Sequence, residues 1–332
     1  MLVREPPAGG RAGKQGGLHT PANLCPMKGR LLAAFAAVYI IWGSTYLAIR
    51  FAVETLPPLL MAGTRFIIAG GILLLWARLR ERSRPTRLDW KTGSVSGALL
   101  LLGGNGCVVW AEQRVPSGIA ALLVAVVPVW VVLIQWLQPH GRRPAPSVLA
   151  GLGLGLVGLA MLVGLDALHG TGNVSGIGAL VLMAGSLSWA IGSLYTKGAP
   201  RATSGSIGAG TQMVAGGVSL AIVSCITGDA ARLDLAHASA RSLLGLLYLI
   251  SFGSLIGFTA YIYLLAHTSA AKAATYAYVN PIVAVLLGWA FANEPVTPRT
   301  LIAAAVILAG VALVTLTRDA PAAAPAAERA AA

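Results

Sequence analysis

Charge is scarce in this chain. Of its 332 residues only 11% are Asp, Glu, Lys or Arg, well under the roughly 25% of a soluble globular domain, and 56% are hydrophobic. That balance excludes an ordinary water-soluble enzyme and describes an integral membrane protein. Cysteine is nearly absent: Cys25 lies in the N-terminal tail, and Cys107 and Cys225 lie inside apolar stretches. With no CxxC and no Cys/His spacing, neither a disulfide framework nor a zinc site is expected. No Walker motif offers an ATP site, and no HExxH, paired acidic motif or Ser/His/Asp set falls inside a span. The chain is therefore not read as an enzyme, and no metal or cofactor is expected. Acids are rarer than bases, 11 against 24, for a net charge of +13. In a soluble protein that excess would suit nucleic acid. Here the cations sit in the tails and between apolar runs, so nucleic acid is not an expected partner.

What is present is a succession of long apolar runs. A bilayer core of about 30 Å takes about 20 apolar residues as helix. Ten such runs are predicted, at 31–50, 58–78, 92–111, 116–138, 147–165, 175–196, 206–227, 242–266, 270–291 and 299–317. Alternate connections then carry most of the Lys and Arg, which marks their side as cytoplasmic. That side holds Arg4 to Arg30, Arg78 to Lys91, Arg142 and Arg143, Lys197 and Arg201, Lys272, and Arg318 and Arg329. The other side keeps Arg50, Arg114, Arg232, Arg241 and Arg299. Both termini are expected in the cytoplasm. Residues 1–29 read as a disordered tail, with Met27 as an alternative start, and 318–332 as a low-complexity tail. The first apolar run lacks a small-residue cleavage site and is expected to stay as a helix.

The chain also repeats itself. Trp42-Gly-Ser-Thr-Tyr-Leu-Ala-Ile-Arg50 matches Trp189-Ala-Ile-Gly-Ser-Leu-Tyr-Thr-Lys197. Gly104, Trp110 and Pro128 match Gly257, Tyr263 and Pro281 at one spacing, and Leu156–Val163 resembles Leu308–Thr315. Two repeats of five spans each, an odd number, enter the membrane from opposite sides, so the expected fold is all-α with two inverted five-helix halves, 30–168 and 172–317. Such halves can exchange inward-open and outward-open shapes.

These features resemble the EamA-type, ten-helix branch of the drug/metabolite transporter superfamily. The resemblance rests on Tyr39-Ile-Ile-Trp-Gly-Ser-Thr-Tyr46, Pro57-Pro58 through Met61-Ala-Gly-Thr-Arg65-Phe66, Ala111-Glu-Gln-Arg-Val-Pro-Ser-Gly-Ile-Ala-Ala121 ahead of Pro128, and Ser188-Trp189. Tyr276-Ala-Tyr-Val-Asn-Pro-Ile-Val-Ala-Val285 and Glu294-Pro295 complete it. It implies a small-metabolite permease of the bacterial inner membrane, commonly an exporter. In one departure the first half has Gln138-Pro-His-Gly-Arg142 where the family usually has an acid like Glu294.

Several residues are candidates for carrying transport. Arg65 lies seven residues past Pro58, about 10 Å into the membrane. It either meets a substrate's counter-charge or bonds helix-end carbonyls. Trp42, Ser44, Thr45 and Tyr46 in the first span, Trp110 at the end of the third, and Trp189, Ser193 and Tyr195 in the sixth suit an amphipathic solute, as do Tyr263, Tyr276, Tyr278 and Asn280. The alternative for each is ordinary interhelical packing. Glu112 and Gln113 form a polar turn, read either as a gate or as a solvated loop. Pro128 and Pro281 predict kinks at paired positions. Arg50 and Glu54 are spaced for an exposed i,i+4 pair, and the glycines at 103, 104, 106, 151, 153, 155 and 158 for close helix contact. No carboxylate lies in the middle of a span. Proton antiport through Glu112 or Glu54, metabolite exchange and facilitation all stay open. The expected partners are a small-molecule substrate and the lipid bilayer, with a homodimer open; an intramembrane enzyme acting on lipid or isoprenoid and a channel-like permease are the competing readings.

Overall fold

The computed structural model describes residues 24–138, 145–163, 175–200 and 202–316. The far ends of both tails, the Pro139–Arg142 motif and Arg201 lie outside the described residues. Among the described residues every regular element is helical. That follows from the composition, since a backbone in hydrocarbon must satisfy its own N–H and C=O groups.

Among the described residues seven helices are long and apolar enough to cross a membrane: Lys28–Ala52, Pro58–Leu79, Arg87–Ala111, Ser117–Leu137, Gly176–Gly198, Gly205–Ile226 and Ala240–His267. Three shorter apolar segments, Pro146–Gly155, Val279–Ala292 and Pro298–Gly310, fall where the fifth, ninth and tenth spans are predicted.

The first two helices are α1 (Leu24–Ala52) and α2 (Pro58–Leu79). The next begins earlier than its apolar run, because Thr86 and Asp89 form a reciprocal capping box that starts α3 (Arg87–Gly97) in polar sequence. It then widens into a π-helical segment, Ala98–Gly106, before resuming as α4 (Cys107–Ala111). The fourth predicted span is split into α5 (Ser117–Val124) and α6 (Val127–Leu137). After α7 (Pro146–Val163) the second half runs α8 (Gly176–Gly198), α9 (Gly205–Ile226) and α10 (Ala240–Tyr248). A second π-helical segment, Leu249–Phe258, leads into α11 (Thr259–His267). The chain ends in α12 (Ala270–Ala273), α13 (Tyr276–Ala292) and α14 (Pro298–Leu316).

The two prolines do not make matching kinks. Pro128 sits in the first turn of α6, just past the break, where its missing N–H is no loss. Pro281 lies inside α13, and the break there comes earlier, at Ala274–Thr275. The expected Arg50–Glu54 pair is also absent. α1 ends at Ala52, so Glu54 has left the helix and faces Arg241 at 3.5 Å instead.

Packing exchanges the two halves. α2 packs on α9 and α7 on α14; α1 meets α13 and the second π segment, while α8 meets α5, α6 and the first π segment. At the α2–α9 crossing a Cβ on Gly63 would come 3.0 Å from the Gly217 carbonyl, and one on Gly217 would come 2.8 Å from that of Gly63. Only glycine allows this approach. Of the glycines expected to pack, 103, 104, 106 and 158 are against neighbours and the backbones of 151 and 155 lie against Gly310, whereas 153 has open space where a Cβ would go.

Candidate functional site

The π-helical segments set the site. A π turn takes more residues than an α turn and is frequent at functional sites. Trp42 of α1 lies on Gly257 of the second segment, and Trp189 of α8 lies on Gly104 of the first. A Cβ on Gly257 would sit 2.5 Å from Trp42 Nε1, and one on Gly104 would sit 2.7 Å from Trp189 Cε3. Each half thus seats the tryptophan of the other.

The rings then meet in the middle. Trp42 and Trp189 stand edge to face at 5.5 Å, and Trp42 also packs on Tyr261 at 5.0 Å and Tyr276 at 5.2 Å. Edge-to-face geometry suits aromatic quadrupoles. Trp42 Nε1 donates to the Gly253 carbonyl at 3.2 Å. Trp189 Nε1 donates to the Tyr261 hydroxyl at 3.2 Å, which lies 2.7 Å from Ser193 Oγ.

Beside this cluster is a cavity. Its wall comes from both halves: Thr45, Tyr46, Arg65, Phe66 and Asn105 on one side, Ser186, Phe258, Tyr276 and Asn280 on the other, with both tryptophans between them. Arg65 is 4% exposed. Its Nη2 donates to Asn105 Oδ1 at 2.8 Å, and its guanidinium lies 4.3 Å from the Phe66 ring centre. Its Nε has no acceptor. Asn280, with its amide nitrogen turned to donate, reaches the carbonyls of Tyr39 at 3.0 Å and Tyr276 at 3.2 Å.

Of the candidate residues, Trp42, Thr45, Tyr46, Arg65, Trp189, Tyr276 and Asn280 come together at this cavity. Ser44 instead bonds the Ile41 carbonyl and the Tyr248 hydroxyl, and Ser193 stands behind the wall against Tyr261. Tyr195 lies further along α8, away from the lining, and the Tyr278 side chain lies outside the described residues. Trp110 and Tyr263 are repeat mates, yet both leave the cavity. Trp110 is covered by the Arg114 guanidinium at 4.3 Å, and Tyr263 stacks on His267 at 4.0 Å. Tyr261 rather than Tyr263 joins the aromatic cluster against Trp42, Trp189 and Tyr276, because two residues along a helix turn about 200°.

The polar turn after the third span is not a solvated loop. Glu112, the first residue past Arg87–Ala111, is 0% exposed, and neither carboxylate oxygen has a hydrogen-bond partner. Burial first, and the charge of Glu294 second, hold its carboxyl well above the usual range, against the opposing pull of Arg50 and Arg65. Gln113 Nε2 donates to the Trp110 carbonyl at 3.0 Å. Glu294 reaches across to the other half, accepting from Ser117 N at 2.8 Å, Ser117 Oγ at 2.8 Å and Gly118 N at 3.2 Å. A carboxylate there satisfies the free N–H groups at the start of α5.

Sequence reasoning missed Asn105, Phe66, Phe258, Ser186 and Tyr261. Asn105 had a signal, a lone amide in Gly103-Gly104-Asn105-Gly106. The others had none, since each looks like ordinary packing.

The chain matches known proteins over most of its length. The sequence profile described as EamA-like transporter family matches residues 27–164 and 176–316. The chain belongs to the EamA-like transporter family. Among its EamA relatives, the inner membrane transporter YedA of Escherichia coli (strain K12) is 42% identical over 86% of this chain and 90% of its own length. The transporter YvbV of Bacillus subtilis (strain 168) is 27% identical over 86% of this chain and 92% of its own. A solved crystal structure has the same fold, with a TM-score of 0.61 at 21% identity over 87% of this chain and 98% of that one. This EamA member is a multi-pass inner-membrane transporter.

Proposed function

We propose that the chain is a secondary transporter that exports a small amphipathic solute, and that its two halves are inverted five-helix repeats working by alternating access. The observation that carries this is the cavity at the junction of the halves, walled by one tryptophan from each and by a buried arginine whose Nε is free. The reading takes the three shorter apolar segments as spans, giving ten, and the cation-rich connections as cytoplasmic. It is supported by the exchanged helix contacts and by a matched pair of bonds. Arg50 Nη1 donates to the Glu112 carbonyl at 3.2 Å, and its repeat mate Lys197 donates from Nζ to the Leu265 carbonyl at 3.2 Å.

In this reading the aromatic cluster takes the solute's apolar body, and Arg65 with Asn105 takes an anionic or strongly polar end. Glu294 clamps the outer face by holding α5, while Glu112 and Gln113 lie at that gate. The breaks near Pro128 and before Pro281 are where the fourth and ninth spans bend between states. Cysteine labelling from each side tests the bends: Pro128→Ala or Pro281→Ala is expected to shift access to one side, and unchanged labelling removes that role.

The deciding experiment compares the culture medium of cells overproducing wild type or Arg65→Ala by untargeted mass spectrometry. A solute enriched only with the wild type is expected, and counterflow in loaded vesicles then separates a carrier from a channel. No enriched solute, together with no ligand-induced thermal stabilisation of the purified protein, overturns the reading.

A further inference from the structure

Glu112 is the feature that the cavity does not explain. It is 0% exposed, both its oxygens lack a donor, and among the described residues it forms no ion pair with Arg50 or Arg65. An ionised carboxylate left in that condition is among the costliest groups a protein can bury. The second half shows what shape the place has. At the spacing that pairs Gly104 with Gly257, the mate of Glu112 is Leu265, which is 1% exposed. Both backbone carbonyls accept the same cationic mate, from Arg50 in one half and Lys197 in the other. An acid therefore occupies a slot that its repeat fills with leucine.

The groups around it come from three places. Tyr46 and Arg50 face it from α1, Arg65 from α2, and Glu294 from the turn after α13. Arg65 is also the cation of the cavity wall. Charge on Glu112 is therefore felt by the residue assigned to the solute's polar end.

We propose that Glu112 is a proton-binding site, occupied in the state seen here, and that its proton sets how strongly Arg65 attracts an anionic group in the cavity. With the proton on, Arg65 keeps an uncompensated charge and a free Nε. With the proton off, the carboxylate draws on that charge and competes with the ligand. Binding of proton and anion then favour each other, and linkage makes the effect reciprocal. The second clause of the proposal rests on the transport reading; the first does not.

The test is infrared titration of the purified chain in lipid nanodiscs, wild type against Glu112→Gln, which keeps the shape of a protonated acid. At neutral pH the wild type is expected to show the C=O stretch of a protonated carboxylic acid, shifted in D₂O and lost in Glu112→Gln. Arg65→Gln is expected to move the titration of that band to higher pH, since it removes a neighbouring cation. A wild-type-minus-Glu112→Gln spectrum holding only carboxylate bands at neutral pH overturns the proton site. A midpoint unmoved by Arg65→Gln overturns the link to the cavity. Neither result depends on transport, so a protonated Glu112 in a chain that fails counterflow sinks the transport reading and leaves the proton site standing.

Discussion

The Arg50 end of the first half and the Lys197 end of the second are built on one backbone plan with different side chains. In each, a cation donates to the carbonyl at a helix end, at 3.2 Å from Arg50 to Glu112 and 3.2 Å from Lys197 to Leu265. The side chains then diverge. At the spacing of the tryptophan pair, the mate of Arg65 is Gln212, also buried, and the mate of Glu112 is Leu265. Backbone bonds and glycine seats are shared because both halves need the same scaffold. At these two pairs of mates the charged member stands in the first half and the uncharged one in the second. That asymmetry is what the roles proposed for Arg65 and Glu112 rest on.

The largest expected effect comes from removing the asymmetry at Arg65. Arg65→Ala deletes a charge-assisted contact of about 1.5–3 kcal/mol, so transport of the solute found in the medium should fall at least about tenfold. Expression and monodispersity should stay intact. A variant with full activity would make Arg65 as structural as Gln212.

Glu112 sharpens the comparison through pH. Its folded carboxyl titrates well above the ordinary value of 4.5, so between those two points the folded chain binds more protons than the unfolded one. Stability is then full below the ordinary value and falls as pH rises, by up to about 1.4 kcal/mol per pH unit for one proton. Thermal unfolding across pH checks this. Glu112→Leu, which copies the second half, should flatten that component of the slope, and an unchanged slope would place the titration elsewhere.

The glycine seats probe what the halves share. Gly257→Ala drives a methyl against Trp42, and Gly104→Ala against Trp189. Each overpacking should cost about 1–3 kcal/mol, read as a lower unfolding temperature. Both variants should suffer alike if the seats are equivalent. Loss in one alone would show that a single tryptophan needs its glycine.

Much of this was legible in the chain. The apolar runs gave the helices, and the paired Trp42 and Trp189 gave the centre of the site, because a period in hydropathy and a repeated motif survive without coordinates. The π segments were not legible, since Ala98–Gly106 and Leu249–Phe258 read as any glycine-bearing apolar helix. Repeat logic also chose Trp110 and Tyr263 over Asn105 and Tyr261. Repeat pairing says which residues are mates and nothing about the direction in which they point. The burial of Glu112 was not legible for a related reason: an acid next to Gln and Arg looks solvated until the neighbouring helices close over it.

The smallest effect is the one that tests the shared backbone plan itself. Arg50→Lys and Lys197→Arg each keep a cation at a helix end that accepts it, at Glu112 after α4 and at Leu265 near the end of α11. A carbonyl takes a proton from either side chain, and a positive charge at a helix C-terminus is favourable in both. Each swap should therefore change stability by no more than about 0.5 kcal/mol and leave transport near wild type. Arg50→Lys is the more informative of the two, because Arg50 also faces the Glu112 carboxyl while Lys197 has leucine there. If Arg50→Lys impaired transport while Lys197→Arg did not, the cation near Glu112 would belong with Arg65 to the charged side of the molecule, and the boundary between scaffold and function would move by one residue.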